Sequence, residues 1–280
     1  MPPETARRLI AEARRAFESA GIETAGLDAR LLLQHAAHLA HEEIAADPDR
    51  AIDAAAARRF RELVARRAGR EPVSRILGER DFHGRSFEVT SAVLDPRPDT
   101  ETLIDAALAR PGPKRLLDLG TGSGAIIVTL LAEWPQATGV ASDLSAAALE
   151  VAERNARRHK VNGRVGFVHG NWFDGVAGHF DLILSNPPYI PLGEIAGLGA
   201  DVRDFDPRPA LDGGPDGLEA FRRIAAGAGG HLAPGGAVVV EIGAGQSAAV
   251  EAIFAATGLT CQGRARDLGG HIRCLTFYKA

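Results

Sequence analysis

Residues 115–133 read RLLDLGTGSGAIIVTLLAE, and this stretch decides the fold. Its apolar start, Arg115–Leu119, predicts a strand; Gly120, Gly122 and Gly124 follow, and Ala125–Glu133 then reads as a helix. Glycines at a strand-to-helix turn let the backbone bend tightly and approach a ligand with no Cβ in the way. A second strand, Thr138–Ser142, runs into Asp143, whose carboxylate is placed to accept hydrogen bonds from both hydroxyls of a ribose. Turn and acid together point to a nucleoside site without naming the cofactor. Gly120, Gly122 and Ala125 also satisfy the looser dinucleotide fingerprint, so a nicotinamide-dependent dehydrogenase and a non-catalytic nucleoside-binding module both stay open on this stretch alone.

Outward from it, strand-like runs at Val165–His169, Asp181–Ser185, Ala237–Ile242 and Ile272–Phe277 are interleaved with helical runs at Ala146–His159, Leu218–His231 and Ala248–Ala256. Such alternation predicts a mostly parallel α/β sheet with its ligands at the carboxyl ends of the strands. Between Tyr189 and Asp216 lies a long stretch rich in Gly, Pro and Asp, a length that compact domains reserve for functional loops. Toward the N-terminus the period changes. Leu9, Ile10, Ala13, Phe17 and Ala20 recur at helical spacing, and further helical stretches run from Leu27 to Leu39 and from Ile52 to Ala68. Residues 81–98 alternate around Phe82, Phe87 and Val89 and then break at two prolines, which predicts a β-hairpin linker. The expected organisation is a helical substrate-recognition domain over 1–80, this linker over 81–98, and an α/β domain over 99–280.

Composition narrows the function classes. The chain of 280 residues has 45% apolar and 24% charged residues, ordinary for a globular protein with a real core, and a net charge of −4. Residues 1–80 carry 14 arginines against 13 acids, a balance that describes solvated helix faces rather than a phosphate-binding stripe. A free-standing DNA binder is therefore not expected. The two cysteines, Cys261 and Cys274, make neither a disulfide framework nor a zinc site. His35, His38 and His41 share one helical stretch and read as a partly exposed face, so no metal is expected. The N-terminus has charges where a signal peptide needs its apolar stretch, and no apolar run is long enough to span a membrane. A cytoplasmic protein is expected.

What decides the chemistry is Asn186-Pro187-Pro188-Tyr189, directly after the apolar strand Asp181–Ser185. Average residue usage brings this tetrapeptide up by chance in about one chain in a thousand of this length. A dehydrogenase leaves it unexplained. The motif is similar to that of S-adenosylmethionine-dependent amino-methyltransferases, which modify planar nitrogens. Within that group the chain resembles the protein-(glutamine-N5) methyltransferases of peptide-chain release factors. The likeness extends through Glu71-Pro72 with Ile76-Leu77-Gly78, Pro96-Arg97-Pro98-Asp99-Thr100-Glu101, Asp201-Val202-Arg203 and Asp206-Pro207-Arg208. It continues in Ala210-Leu211-Asp212-Gly213-Gly214, Glu241-Ile242-Gly243 with Gln246, and Asp267-Leu268 with Gly270 and Arg273. Three positions depart from the family pattern: Asp95 stands where an aliphatic residue is usual, Asn171 where Asp is frequent, and Asp206 where Glu is usual.

The resemblance implies a Rossmann-like, mostly parallel seven-stranded methyltransferase sheet behind a small N-terminal helical bundle. It implies S-adenosylmethionine as methyl donor, leaving as S-adenosylhomocysteine, held by Gly120, Thr121, Gly122, Ser123, Gly124, Asp143, Trp172 and Asn186. It assigns substrate binding to Asn186, Pro187, Pro188 and Tyr189, with Asn186, Pro187 and Tyr189 catalytic. The expected substrate is the glutamine of the Gly-Gly-Gln motif in class I release factors, methylated in support of translation termination by a monomer that needs no nucleic acid or membrane. Glutamine methylation of a ribosomal protein is the nearest alternative, and N6-adenine methylation of DNA a more distant one. Trp172 is expected either to wall the adenine or to fill the core. Arg97 and Glu101 are expected either to close over the site or to serve as a cap and a surface ion pair.

Overall fold

A computed structural model describes residues 4–279 of the chain. By internal contacts it divides into two units, Met1–Gly78 with Gly199–Phe205, and Glu79–Leu198 with Asp206–Ala280.

The first unit is helical: α1 (Ala6–Ser19), α2 (Ala25–Ala37), α3 (His41–Ala46), α4 (Ala54–Ala68) and α5 (Val73–Leu77). The apolar positions at helical spacing on α1 are the buried ones, Leu9, Ala13 and Phe17, and they pack with Leu32, Leu33, Ala57 and Phe60 in one core. Thr5 caps α1 by accepting from the Arg8 amide, and Asp53 caps α4 by accepting from Ala55 and Ala56. His38 ends α2 in the left-handed conformation, φ 53°. Inside this core Arg67 and Asp28 form a buried ion pair at 2.8 Å. Arg67 and Arg70 also bind Asp201, at 3.5 and 2.8 Å, which ties the short helix Ala200–Arg203 to the unit.

The second unit begins with an antiparallel hairpin, β1 (Glu79–Phe82) and β2 (Arg85–Glu88). Phe82 and Phe87 are fully buried from it, against Leu103, Ile104 and Ala107 of α6 (Glu101–Leu108). Then follow β3 (Arg115–Leu119), α7 (Ala125–Glu133), β4 (Thr138–Asp143), α8 (Ala146–Arg158), β5 (Val165–His169) and β6 (Phe180–Ser185). The short helix Ala200–Arg203 is α9; after it come α10 (Glu219–His231), β7 (Leu232–Glu241), α11 (Ser247–Ala255), β8 (Leu259–Arg266) and β9 (Ile272–Lys279).

Seven strands form one sheet in the order β5-β4-β3-β6-β7-β9-β8. The first five are parallel; β9 runs antiparallel to both β7 and β8. The Rossmann-like, mostly parallel sheet expected from the sequence is therefore present. Central strands β3 and β6, and β7 from Gly236 onward, are buried almost throughout, which is why they read as continuous apolar runs. Strand β8 did not stand out in the sequence. It lies at the sheet edge with alternate residues exposed, and Gly263 sits at an irregularity of its register. Among the described residues no helix is long and apolar enough to cross a membrane.

Candidate active site

The sheet order makes β3 and β6 neighbours, with Leu119 beside Ser185. The glycine turn and the Asn-Pro-Pro-Tyr turn therefore leave the same edge of the sheet side by side, at a cavity of about 780 Å³. A volume of this size is in the range that holds a cofactor-sized ligand.

On the β3 side the turn is held by backbone. Gly120 and Thr121 both donate to the Ser142 carbonyl, at 2.9 and 3.0 Å. Gly120 and Gly122 have φ of +69° and +54°, and a Cβ on Gly122 would stand in open space, which marks a surface left bare for a ligand. Asp143 accepts from the Gly122 amide at 2.9 Å through one oxygen and from the Ser145 amide at 2.8 Å through the other. Each oxygen keeps a lone pair for a further donor. Below the turn Asp118 is fully buried and accepts from the Thr121 hydroxyl at 2.7 Å. Burial pushes its carboxyl up to about 7 against the pull of that hydrogen bond, and the nearby Asp143 charge adds to the rise.

Gly120, Thr121, Gly122, Ser123, Asp143, Trp172, Asn186 and Pro188 all line the cavity. Gly124, Pro187 and Tyr189 do not. Gly124 instead lets α7 start close to α8, since a Cβ there would lie 3.1 Å from that of Ala152. Trp172 takes a left-handed backbone, φ 57°, and its carbonyl accepts from Ser142 at 3.0 Å. Its ring both lines the cavity and packs against the core beneath. Asn171, at a position where the family often has Asp, is exposed at the cavity wall.

On the β6 side the turn is held by side chains from distant segments. Asn186 donates its Nδ2 to Thr100 Oγ1 at 3.1 Å, which leaves its Oδ1 unused by that contact. Tyr189 donates its hydroxyl to Glu241 Oε1 at 3.3 Å. Burial raises the Tyr189 phenol far above its ordinary value, and the Glu241 charge adds to the effect. Glu241 is 1% exposed. Burial lifts its carboxyl to about 7, opposed by the Thr100 hydroxyl, the Arg273 charge and Tyr189, while Asp99 raises it further. Gln246 clamps the turn from behind: it accepts from the Gly243 amide at 2.9 Å and donates to the Tyr189 carbonyl at 2.9 Å. Gly217 crosses so near that a Cβ would lie 2.5 Å from the Tyr189 oxygen. The segment Ala210–Gly214 closes the other side, where Ile190 and Leu211, and Gly213 and Ile190, exchange backbone hydrogen bonds at 3.1 and 2.9 Å.

Arg97 lines the cavity and pairs with buried Asp206, whose other oxygen accepts from the Asp95 amide at 3.4 Å. Two of the departures from the family pattern thus meet in one contact. Glu101 does not line the cavity; it accepts from the His83 amide at 2.9 Å and secures the hairpin. Thr100, Glu241 and Gln246 lie inside motifs of the family likeness, yet the sequence alone assigned them no role. The available signal was an acid closing the apolar run Val238-Val239-Val240.

Comparison with known proteins places the chain among methyltransferases. A model described as the PrmC N-terminal domain matches residues 8–78, and one described as a methyltransferase small domain matches residues 96–195. A protein named release factor glutamine methyltransferase from Agrobacterium fabrum is 44% identical, over 95% of this chain and 94% of its own. Its namesake from Cereibacter sphaeroides is 48% identical, over 92% of each chain. Among solved structures, a methyltransferase from Pyrococcus furiosus superposes with a TM-score of 0.54 at 22% identity, covering 71% of this chain and 91% of that one, a likeness of fold.

Proposed function

The chain belongs to the release factor glutamine methyltransferase family, and from that premise we propose that it methylates the side-chain amide nitrogen of the Gly-Gly-Gln glutamine in class I peptide-chain release factors. S-adenosylmethionine is the methyl donor in this reading. The observation that carries it is the Asn-Pro-Pro-Tyr turn opening on the same cavity as the glycine turn. When bound, S-adenosylmethionine supplies an electrophilic sulfonium methyl. Gly120 to Ser123, Asp143 and Trp172 would hold it, and they suit such a ligand, with bare backbone at Gly122, spare lone pairs on Asp143 and an aromatic wall.

A glutamine amide nitrogen is a poor nucleophile because its lone pair is spread into the carbonyl. The protein's work is to localise that pair and aim it. Asn186 Oδ1, at the cavity, accepts one N–H of the substrate amide; the Pro187 carbonyl, set back from the lining, takes the other once the amide enters the turn, and the nitrogen is pushed toward a tetrahedral arrangement. Two consecutive prolines fix φ and keep those acceptors from turning away. Tyr189 stands behind the turn, its hydroxyl tethered to Glu241 and its ring packed on the core, which steadies the acceptors in front of it. Positioning of this kind lowers a barrier by several kcal/mol, with an upper limit of about 7–11 kcal/mol.

The test is methyl transfer from labelled S-adenosylmethionine to a purified release factor, intact and with its loop glutamine changed to alanine. Label on the intact factor alone is the expected result. Cofactor binding with no label on either protein would overturn the substrate assignment.

A further inference from the structure

The Asn186 side chain has a donor end and an acceptor end of nearly equal size, and nothing intrinsic to it decides which end faces the cavity. The surrounding fold decides. Strands β6 and β7 are paired with Ser185 beside Val240, so the next residues, Asn186 and Glu241, leave adjacent strand ends together. Thr100, at the end of the turn Pro98–Thr100, is buried beside both: its Oγ1 lies 3.1 Å from Asn186 Nδ2, and its hydroxyl is near enough to the Glu241 carboxyl to favour the ionised form. Glu241 Oε2 meanwhile has no hydrogen-bond partner among the described residues. A buried carboxyl that is only partly satisfied is costly and calls for a reason.

We propose that Thr100 and Glu241 form a positioning relay behind Asn186, turning its Oδ1 toward the cavity and strengthening that oxygen as the acceptor of the substrate amide. The proposal rests on the functional reading above. A threonine hydroxyl has one proton. Because Oγ1 accepts from Asn186 Nδ2, that proton must go elsewhere, and Glu241 is the acceptor beside it. Hydrogen bonds in series polarise one another in one direction, by about 10–30% per bond. Drawing an Asn186 N–H toward a polarised hydroxyl moves electron density along the amide to Oδ1. The substrate N–H is then held more firmly and its nitrogen becomes more electron-rich. No proton is transferred; the relay acts through orientation and polarity.

The charged and titratable groups facing Glu241 are Asp99 and Arg273, Tyr189, and Cys274 directly across from it on β9. Arg273 is itself held by Asp267 at 2.9 Å and Asp99 at 3.3 Å. The relay is strongest with Glu241 ionised, so its influence grows as pH rises through neutrality.

The experiment compares Thr100→Val, Thr100→Ser and Glu241→Gln with the unaltered chain. Thr100→Val is expected to lower kcat about tenfold or more, the cost of a misplaced acceptor, while KM for the release factor changes by less than about twofold. Thr100→Ser recovers most of that loss. Glu241→Gln lowers kcat less and flattens the rise of kcat with pH seen in the unaltered enzyme. A second readout needs no turnover: the side-chain amide resonances of Asn186 in protein labelled with ¹⁵N-asparagine, identified by their loss in Asn186→Ala. They are expected to shift with pH near neutrality in the unaltered chain and to stay fixed in Glu241→Gln and Thr100→Val. Resonances that ignore pH, or that shift equally in Glu241→Gln, overturn the relay. If the release factor goes unmethylated while the Glu241-dependent shift is present, the functional reading falls and the relay stands. Methylation with static resonances gives the opposite result.

Discussion

The glycine turn after β3 and the Asn-Pro-Pro-Tyr turn after β6 close adjacent parallel strands, yet they are secured by opposite means. The first hangs on near neighbours: the Ser142 carbonyl and the Asp143 carboxylate, 21 positions from Gly122. The second hangs on side chains that arrive from afar, Thr100 at a separation of 86, Gln246 at 57 and Glu241 at 52. A turn made from backbone and positive φ offers a shaped surface. One braced by remote side chains offers aimed acceptors. Damage to the first should show as weaker cofactor binding, and damage to the second as slower turnover at unchanged binding.

The sharpest break would come from Asn186→Ala. Removing one aimed acceptor is expected to lower single-turnover methyl transfer by about 10²–10³-fold, the scale seen when an electrostatic partner of a reacting group is deleted. Near-normal turnover would leave the Asn-Pro-Pro-Tyr turn without its assigned role. Asp143→Ala tests the other end. Calorimetry is expected to show cofactor affinity falling about ten- to a hundredfold, the worth of one or two charge-assisted hydrogen bonds, with turnover retained at saturating cofactor. A turnover defect that saturation does not repair would dissolve the contrast.

Gln246→Ala keeps the acceptors themselves and frees only the turn they sit on. Turnover should drop by about threefold to tenfold, since the lost hydrogen bonds are worth about 1 kcal/mol each. Cofactor affinity should hold. The smallest effect on turnover is expected at Asp118, the buried acid under the glycine turn, where the readout is stability. Its folded pKa, about 7, lies above its ordinary value of 3.8. Between these values the unfolded chain releases a proton that the folded chain keeps, so stability falls as pH rises from about 4 to about 7 and then levels off. Asp118→Asn cannot ionise, and its Oδ1 can still accept from Thr121. Its melting temperature relative to the unaltered chain should rise between pH 5 and pH 8, by an amount worth about 2–3 kcal/mol. No relative change would mean that the carboxyl is ionised without penalty.

The same contrast explains how far the sequence could be read. Arg115–Leu119, Ala125–Glu133 and Val165–His169 stand in the structure with the bounds predicted for them, because each is an apolar run between polar or glycine punctuation. The hairpin at residues 79–88 was legible too, though its two phenylalanines bury into the α/β core. Strand β8 was not, since an edge strand with alternate residues in solvent carries little apolar signal. At the site, the glycines and Asp143 could be found because spacing along the chain mirrors spacing in space. Thr100, Glu241 and Gln246 gave no such cue; only strand pairing and a long loop bring them to residue 186. Gly124 shows the converse, a glycine inside the ligand motif whose bareness serves helix packing against Ala152.

Of the described strands β9 comes last along the chain, yet it lies between β7 and β8. Until Ile272–Lys279 has left the ribosome, β8 has no partner and the β7 edge carries unpaired backbone groups beside Phe254 and Leu259, side chains destined for the core. Such an edge invites pairing with other chains. Completion of the sheet is therefore a late, long-range event in the folding of this domain, and β7 and β8 stay a sticky, unjoined pair until β9 inserts between them.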